Sequence, residues 1–238
     1  MNGYPRFIAV GELALLVEFG DRIDNQLNAR VLTLAAALNG TTGVSEIIPT
    51  YRSLTVVFDP LTVTCIELCE RVALLLNQLP AAHSARRRWR VPVCYGGKYG
   101  EDLPALAQGH GLSPEQVIDL HSSARYRVYM VGFMPGFAYL GGLPEMLHTP
   151  RRSSPRAMTP ASSINIGGQQ TAISSVAGPS GWHLIGRTPW RSFDPLRQRP
   201  FLFQAGDEVG FMSITPAEFA RLSDECRAAD WYPEPEVA

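Results

Sequence analysis

The sequence predicts a small α+β domain followed by a larger, mainly-β domain with the pattern of a barrel or a sandwich. The first part of the chain repeats the order strand, strand, helix twice, which suits a small sheet covered by two helices on one face. From residue 126 onward, short apolar segments alternate with Gly and Pro turns, as in barrels and sandwiches. A chain of 238 residues with 45% hydrophobic content can bury one large core or two smaller ones. We therefore expect two domains.

The first repeat contains two strands and a helix. Residues 6–10 and 14–19 are apolar segments joined by a turn at Gly11, and Asp24 is placed to cap the helix that follows. The expected inward face of this helix consists of Leu27, Val31, Leu34 and Leu38.

The second repeat has the same order. Strands are predicted at residues 46–50 and 53–58, and the second helix begins at Thr62 or Thr64, either of which can serve as its N-cap. Its expected inward face consists of Ile66, Cys69, Ala73 and Leu76, and the helix ends by Pro80.

An arginine-rich segment separates the two regions. Residues 81–90, AAHSARRRWR, contain four arginines and no apolar period. They are either a basic patch for a phosphate-rich partner or a solvated linker, and the linker is favoured because the segment is short and joins two patterned regions. We place the boundary near Ser84, which gives domains at residues 1–83 and 84–238.

The second region begins with the strand WRVPVCY. Ser113 is expected to cap a helix that has Pro114 at its first position and Gln116 at its third. His121 would end this helix, where a charged imidazole favours the helix dipole. The predicted strands that follow include YRVYMVGF, SINIGGQQTAISSV, WHLIGR, FLFQAG and EVGFMSI, and a helix from about residue 216 to 228 closes the region.

Charge and hydropathy exclude several classes of protein. A net charge of -1 and a pI near 6.5 argue against binding to nucleic acid, which needs a basic excess. No segment approaches the roughly 20 apolar residues of a membrane span, and the first residues lack the pattern of a cleaved signal. Cys65 and Cys69 lie at i,i+4, where buried hydrophobes are expected rather than a metal site. We expect a cytoplasmic protein without a bound metal.

Two segments could carry a ligand. The strand that ends at residue 133 turns at Pro135 and presents Phe137 and Tyr139 beside a loop with three arginines, a residue type that suits carboxylate or phosphate. The alternative is a solvated loop stiffened by proline. In GGQQT, Gln169 could contact a ligand near strand glycines, or the segment could be a β-bulge. The segment YGGKYG does not match a phosphate-binding P-loop, because Tyr99 follows Lys98.

Several long motifs closely resemble one known family. They are YRVYMVGFMPGFAYLGGLPEMLHTPRRSSPR, GGQQTAISS, PSGWHLIGRTPW and FDPLRQRPFLFQAGDEVGF, with VPVCYGGKYGEDL, GLSPEQVIDLHSS, GELALLVEFGD and PTYRSLTVVFDP before them. These motifs resemble the family of the 5-oxoprolinase B subunit, also known as allophanate hydrolase subunit 1 or the sporulation-kinase inhibitor family. The resemblance covers nearly the whole chain.

The resemblance implies a fold, an activity and partners. The second domain would be a cyclophilin-like β-barrel. The chain would form a heterodimer with the C subunit of 5-oxoprolinase, and with subunits A and C it would open 5-oxoproline to glutamate with hydrolysis of ATP in the presence of Mg. The chain alone would be inactive. A carboxyltransferase subunit for another small amide, such as urea or allophanate, is one alternative, and a module that binds a histidine kinase is another. A prolyl-isomerase role rests on fold analogy alone.

The expected site lies in the second domain. Arg156 and Arg187 lie next to prolines at 155 and 189, so their backbone is stiff and less entropy is lost when they hold an anion. The residues expected to contact substrate or phosphate are Arg151, Arg156, Gln169 and Arg187. Those expected to line the pocket are Phe133, Pro135, Phe137, Tyr139, Thr171 and Trp182.

The chain departs from the family pattern at three positions. The family usually has glycine where this chain has Ser162, Ala172 and Ser180. Glycine allows close approach of backbone or ligand, so these changes bear on the substrate rather than on the fold.

Overall fold

The computed structural model describes residues 3–79, 87–227 and 231–237, which belong to two compact units. The predicted boundary near Ser84 lies outside the described residues. Within the described ranges, no helix combines the length and the apolar character needed to cross a membrane.

The N-terminal unit is a four-stranded antiparallel sheet with two helices. Its elements are β1 Arg6–Val10, β2 Ala14–Glu18, α1 Asn25–Leu38, β3 Val44–Pro49, β4 Ser53–Phe58 and α2 Cys65–Gln78. The strand order is β1-β2-β4-β3. Side chains alternate along β2 and β4, so that one face of the sheet is buried against both helices. The buried residues are Leu15, Val17, Leu54, Val56 and Phe58 from the sheet, and Val31, Leu34, Leu38, Leu68 and Val72 from the helices.

The start of α2 determines which of its faces is buried. Thr64 caps the helix, and its hydroxyl and the carboxylate of Glu67 each accept a backbone N–H of the other residue. The prediction of an inward Ile66 and Ala73 is wrong, because both are exposed and Ile66 retains 73% of its accessible surface. The buried face of α2 is centred on Leu68 and Val72, and the predicted face was rotated around the helix axis relative to it.

The C-terminal unit contains the remaining elements. They are β5 Arg87–Tyr95, α3 Leu103–Gly109, α4 Pro114–Ser123, β6 Tyr126–Val131, β7 Ala138–Gly141, β8 Arg156–Thr159, β9 Ser163–Gly167, β10 Gln170–Ile173, β11 Gly178–Ser180, β12 His183–Arg187, β13 Glu208–Ser213, α5 Pro216–Glu225 and β14 Glu236–Val237. Seven of these strands close a barrel in the order β12-β9-β10-β7-β6-β13-β5, and β5 pairs back to β12. The strand β14 adds to β5, while β8 and β11 form a separate pair. The predicted barrel and the capped start of α4 are confirmed.

The strand β5 closes the barrel, and it begins earlier than the sequence suggests. The expectation that residues 87–90 belong to a solvated linker is wrong, since they pair with β13 and β14. Asp207 accepts hydrogen bonds from Arg87 Nε at 2.9 Å and from the indole Nε1 of the buried Trp89 at 2.8 Å. A carboxylate distant in sequence therefore holds these residues in the barrel.

The barrel interior contains a polar network around one histidine. His121 is fully buried, with its Nδ1 2.8 Å from the hydroxyl of Tyr95 and its Nε2 3.0 Å from Oγ1 of Thr171. Burial lowers the pKa of His121 to about 3. The expectation of a charged imidazole is therefore wrong, because desolvation outweighs the dipole of α4. Thr171, expected to line a pocket, faces this interior instead.

The buried imidazole predicts a loss of stability in acid. The pKa of His121 is lower in the folded state than in the unfolded chain, so the unfolded state binds more protons between about pH 6.5 and 3 and the free energy of unfolding falls there. From pH 7 to pH 5 the loss from this residue is about 2 kcal/mol. Urea unfolding of the wild type and of His121→Gln at both pH values measures it. An equal pH dependence in the two proteins would contradict this prediction.

Candidate functional site

A cavity of about 500 Å³ opens where β10 and β12 end and β9 begins. The residues after β12 and the helix α5 complete its wall. The lining residues with chemical or packing importance are Tyr99, Ser162, Ser175, Arg187, Phe193 and Phe219. Three arginines and one aspartate carry the charges of the wall, so it is net positive.

Arg187 carries a positive charge that no acid among the described residues neutralises. Its Nε and Nη2 donate to the carbonyl oxygen of Ala161 at 3.2 and 3.1 Å, and its guanidinium carbon lies 6.0 Å from the ring centre of Phe219. Among the described residues, no ion pair links it to a carboxylate. Burial lowers the pKa of Arg187 from its ordinary value. A half-buried guanidinium whose Nη1 donates to no described residue suits an anionic ligand.

Two serines supply hydroxyl groups to the same wall. Ser175 is 5% exposed, and its buried Oγ has no hydrogen-bond partner among the described residues. Ser162 Oγ donates to the carbonyl oxygen of Trp190 at 2.8 Å. Ser162 has the left-handed backbone that glycine favours, with φ of 60°. The unpartnered hydroxyl of Ser175 is a second group able to bind a ligand oxygen.

Three of the expected pocket-lining residues form a packed aromatic cluster instead of a cavity. Phe137 lies 4.7 Å from Tyr139 and 6.4 Å from Trp182, measured between ring centres, and Ala172 completes the cluster. Arg151 lies over the ring of Trp182 with its guanidinium carbon 5.7 Å from the ring centre. Burial raises the pKa of Tyr139. This cluster places Arg151 on an aromatic face and leaves its guanidinium at the surface.

Arg156 is held by a carboxylate that sequence reasoning missed. Asp102 accepts hydrogen bonds from both terminal nitrogens of Arg156, from Arg152 Nη1 at 2.8 Å and from the backbone N–H of Leu184 at 2.7 Å. Burial alone would raise the pKa of Asp102, but these hydrogen bonds and the two guanidinium charges hold it below its ordinary value. The guanidinium of Arg156 is thus engaged within the protein, and a ligand role for it stays a prediction.

The remaining expected residues lie at the surface. Gln169 is exposed in the two-residue turn between β9 and β10, after Gly168. Phe133 and Pro135 are exposed in the turn before β7, and Phe133 has a left-handed φ of 71°. Ser180 Oγ accepts the backbone N–H of Trp182.

The structure does not bring the four expected contact residues together. Arg151 contacts Trp182, which directly precedes β12, whereas Arg187 is the last residue of β12. At 3.3 Å per residue along the strand, Trp182 and Arg187 are about 16 Å apart. The cavity retains Arg187 from the expected set and adds Ser162 and Ser175. The sequence alone does not single out Ser175, because what distinguishes this serine is a buried hydroxyl without a hydrogen-bond partner among the described residues.

The part of the chain that the structure describes contains no cluster of metal-binding side chains. There, no three His, Cys, Asp or Glu residues are grouped so that they could hold a metal ion. Cys65 and Cys69 are close to each other on α2, and burial raises the pKa of Cys69.

Comparison with known proteins identifies the family. A model of the carboxyltransferase domain, subdomain C and D, matches residues 5–203. The B subunit of 5-oxoprolinase from Bacillus subtilis is 38% identical over 229 residues, which cover 91% of this chain and 95% of that protein. The corresponding subunit from Escherichia coli O157:H7 is 41% identical, with coverages of 87% and 95%. The chain belongs to the 5-oxoprolinase B subunit family.

Solved structures extend the comparison to longer chains. The crystal structure of TTHA0988 superposes on this chain with a TM-score of 0.77 and 36% sequence identity. The match covers 85% of this chain and 40% of TTHA0988. Urea carboxylase of Kluyveromyces lactis has a TM-score of 0.79 at 17% identity, which supports the fold alone, and the match covers 98% of this chain and 24% of that one. The same fold therefore occurs within much longer polypeptides.

The Asp102 contacts predict a structural role for Arg156. Arg156→Ala should lower the free energy of unfolding by about 2 to 3 kcal/mol, because it removes the main partner of a buried carboxylate. Asp102→Ala should have a similar effect, and the double variant should lose less than the sum. Urea unfolding measures all three.

The exposed pair Arg221 and Glu225 provides the control for this prediction. Arg221→Ala should change stability by less than about 0.5 kcal/mol, since both side chains are at least half exposed. Additive effects of the Asp102 and Arg156 substitutions would show that the two residues are not coupled.

Proposed function

We propose that the Arg187 cavity holds the carboxylate of the substrate in the 5-oxoprolinase complex of which this chain is a subunit, and that this complex depends on ATP. The observation that supports it most is the half-buried Arg187, unpaired with any described acid, beside the unpartnered Ser175 hydroxyl. Three relatives that are 38%, 41% and 39% identical to this chain are B subunits of 5-oxoprolinase.

The substrate chemistry fits this arrangement. 5-Oxoproline has one carboxylate and one lactam, and the lactam carbonyl is a poor electrophile. A guanidinium binds a carboxylate through two parallel hydrogen bonds, and a hydroxyl can donate a further one. Arg187 would hold the substrate by its carboxylate, and the rigid end of β12 would fix the direction in which the ring points. This orientation serves lactam opening, in which glutamate is the product.

ATP would be used by the complex rather than held by this chain alone. Its chemical contribution would be transfer of the γ-phosphoryl group to the lactam oxygen, which releases ADP and makes the lactam carbon a better electrophile for water; the C–N bond then breaks and phosphate is released. In the glycine-rich segment at 96–100, Lys98 Nζ lies 5.3 Å from the ring centre of Tyr99, a cation–π contact within the chain. A Cβ on Gly100 would lie 2.0 Å from the carbonyl oxygen of Ile185, so this glycine serves packing against β12. ATP and Mg would act in the complex with subunits A and C, which we place in the cytoplasm.

A carboxyltransferase subunit is the second candidate function. The match to a carboxyltransferase family model and the fold shared with urea carboxylase favour it. The same cavity would then hold a different small amide or its carboxylated product. A requirement for biotin would distinguish the two, since lactam opening with ATP needs none. The regulatory module that binds a histidine kinase stays a hypothesis.

Removal of the Arg187 guanidinium tests the proposed site. In the complex reconstituted with subunits A and C, Arg187→Ala should lower kcat/KM for 5-oxoproline about ten-fold to a hundred-fold, because a charge-assisted bond worth about 1.5 to 3 kcal/mol is lost. Arg187→Lys should restore part of the activity. Arg125→Ala, which removes an exposed arginine elsewhere on this unit, is the matched control. Normal kinetics for Arg187→Ala in a folded complex would place the substrate elsewhere.

The isolated chain should not turn over 5-oxoproline. Its cavity offers groups for binding but no nucleotide loop among the described residues, so the phosphoryl step needs the other subunits. Glutamate formation with ATP is measured for the chain alone and for the mixture with subunits A and C. Turnover of 5-oxoproline by the isolated chain would contradict the proposal that the phosphoryl step needs the other subunits.

A further inference from the structure

The strand β1 is the least covered strand of the N-terminal unit. All five of its residues, Arg6–Val10, are exposed. Phe7 lies opposite Val17 on the helix-covered face of the sheet, and Ile8 lies opposite Leu16 on the other face. Phe7 and Ile8 nevertheless remain 36% and 39% exposed. The helices therefore do not extend over β1, and it is held mainly by its pairing with β2.

The two edges of this sheet differ in how they are protected. The strand order makes β1 and β3 the edges. β3 has a bulge between Val44 and Glu46 and ends at Pro49, and such features hinder pairing with another chain. Each strand has a proline at one end, Pro5 directly before β1 and Pro49 as the last residue of β3, but β1 keeps a regular register from Arg6 to Val10, so the bulge distinguishes the two edges. No other described strand pairs with its outer edge. It therefore presents free backbone donors and acceptors beside apolar side chains.

We propose that β1 accepts an extended strand from a partner subunit, which lengthens the four-stranded sheet to five strands. Only another extended backbone matches a row of alternating N–H and C=O groups, and apolar side chains of that strand would cover Phe7 and Ile8. Five residues span about 16 Å at 3.3 Å per residue, so this pairing is one part of a larger interface and orients it. The inference rests on the proposed function, because the complex supplies the strand.

The relatives favour a different polypeptide over a second copy of this chain. In TTHA0988 the matched region is 40% of the chain, and in urea carboxylase it is 24%. In both, this fold is joined covalently to additional polypeptide, and three relatives that are 38%, 41% and 39% identical are named B subunits, which implies a non-identical subunit in the assembly. A free edge that recognises a non-identical chain needs no self-complementary side chains, since the backbone supplies most of the contacts.

Two isoleucines on one cross-strand row provide a matched test. Ile8, Leu16, Thr55 and Ile48 follow one another across the sheet, so Ile8 and Ile48 lie on the same face at opposite edges. Their exposures are 39% and 40%. Ile8→Lys should weaken binding of the purified C subunit at least about ten-fold, because a lysine on an edge opposes strand addition. Ile48→Lys should bind like the wild type. Titration followed by calorimetry measures both, and melting temperatures verify that both variants fold.

The other outcomes overturn the inference in distinct ways. Weakening by both lysines would mean that the open face of the sheet, rather than the β1 edge, meets the partner. Wild-type affinity for both would mean that neither is involved. A dimer of this chain that Ile8→Lys dissociates would assign the edge to a second copy.

Hydrogen exchange separates this inference from the proposed function. In the complex with the C subunit, alternate amides of residues 6–10 should exchange at least about ten-fold more slowly than in the free chain, since they gain partners. Unchanged exchange in a stable, active complex would overturn the strand addition and leave the proposed function intact. Absence of any complex or activity would instead overturn the proposed function.

Discussion

The buried carboxylate of Asp102 is the contact on which the C-terminal unit most depends. It joins the segment before α3 to Arg152 in the loop before β8, to Arg156 at the start of β8 and to the backbone of β12. Its position is favourable only while both guanidinium groups remain in place, since a buried acid without partners is costly. Because Arg187 ends β12, the same contact fixes the strand that carries the cavity arginine.

Local signals allowed much of the fold to be predicted. Capping residues at Thr64 and Ser113 and the alternation along β2 and β4 act over a few residues, so the chain itself reveals them. The predictions for residues 87–90 and for the inward face of α2 were wrong, because distant contacts decide both. Asp207 is 120 residues from Arg87, and no periodicity indicates that such a pair will meet.

The site was harder to predict than the fold, because its residues differ from others of the same type only in whether the folded chain gives them a hydrogen-bond or ion-pair partner. Arg156 and Arg187 have equally stiff sequence contexts, but a carboxylate 54 residues away engages the first and no described acid pairs with the second. Thr171 lies on the barrel-facing side of β10, where it meets His121. Register decides which side a strand residue takes, and register follows from pairing rather than from composition.

Ser162 combines a strained backbone with a hydroxyl group in the wall of the cavity. A left-handed backbone costs a serine about 1 kcal/mol relative to glycine, so the position opposes folding slightly. The strain is localised at the residue whose hydroxyl the carbonyl oxygen of Trp190 orients at the cavity wall. Replacement of Ser162 by glycine would therefore relieve the backbone and remove this hydroxyl from the wall in one step, so the stability of the barrel and the chemistry of the cavity are exchanged at a single position.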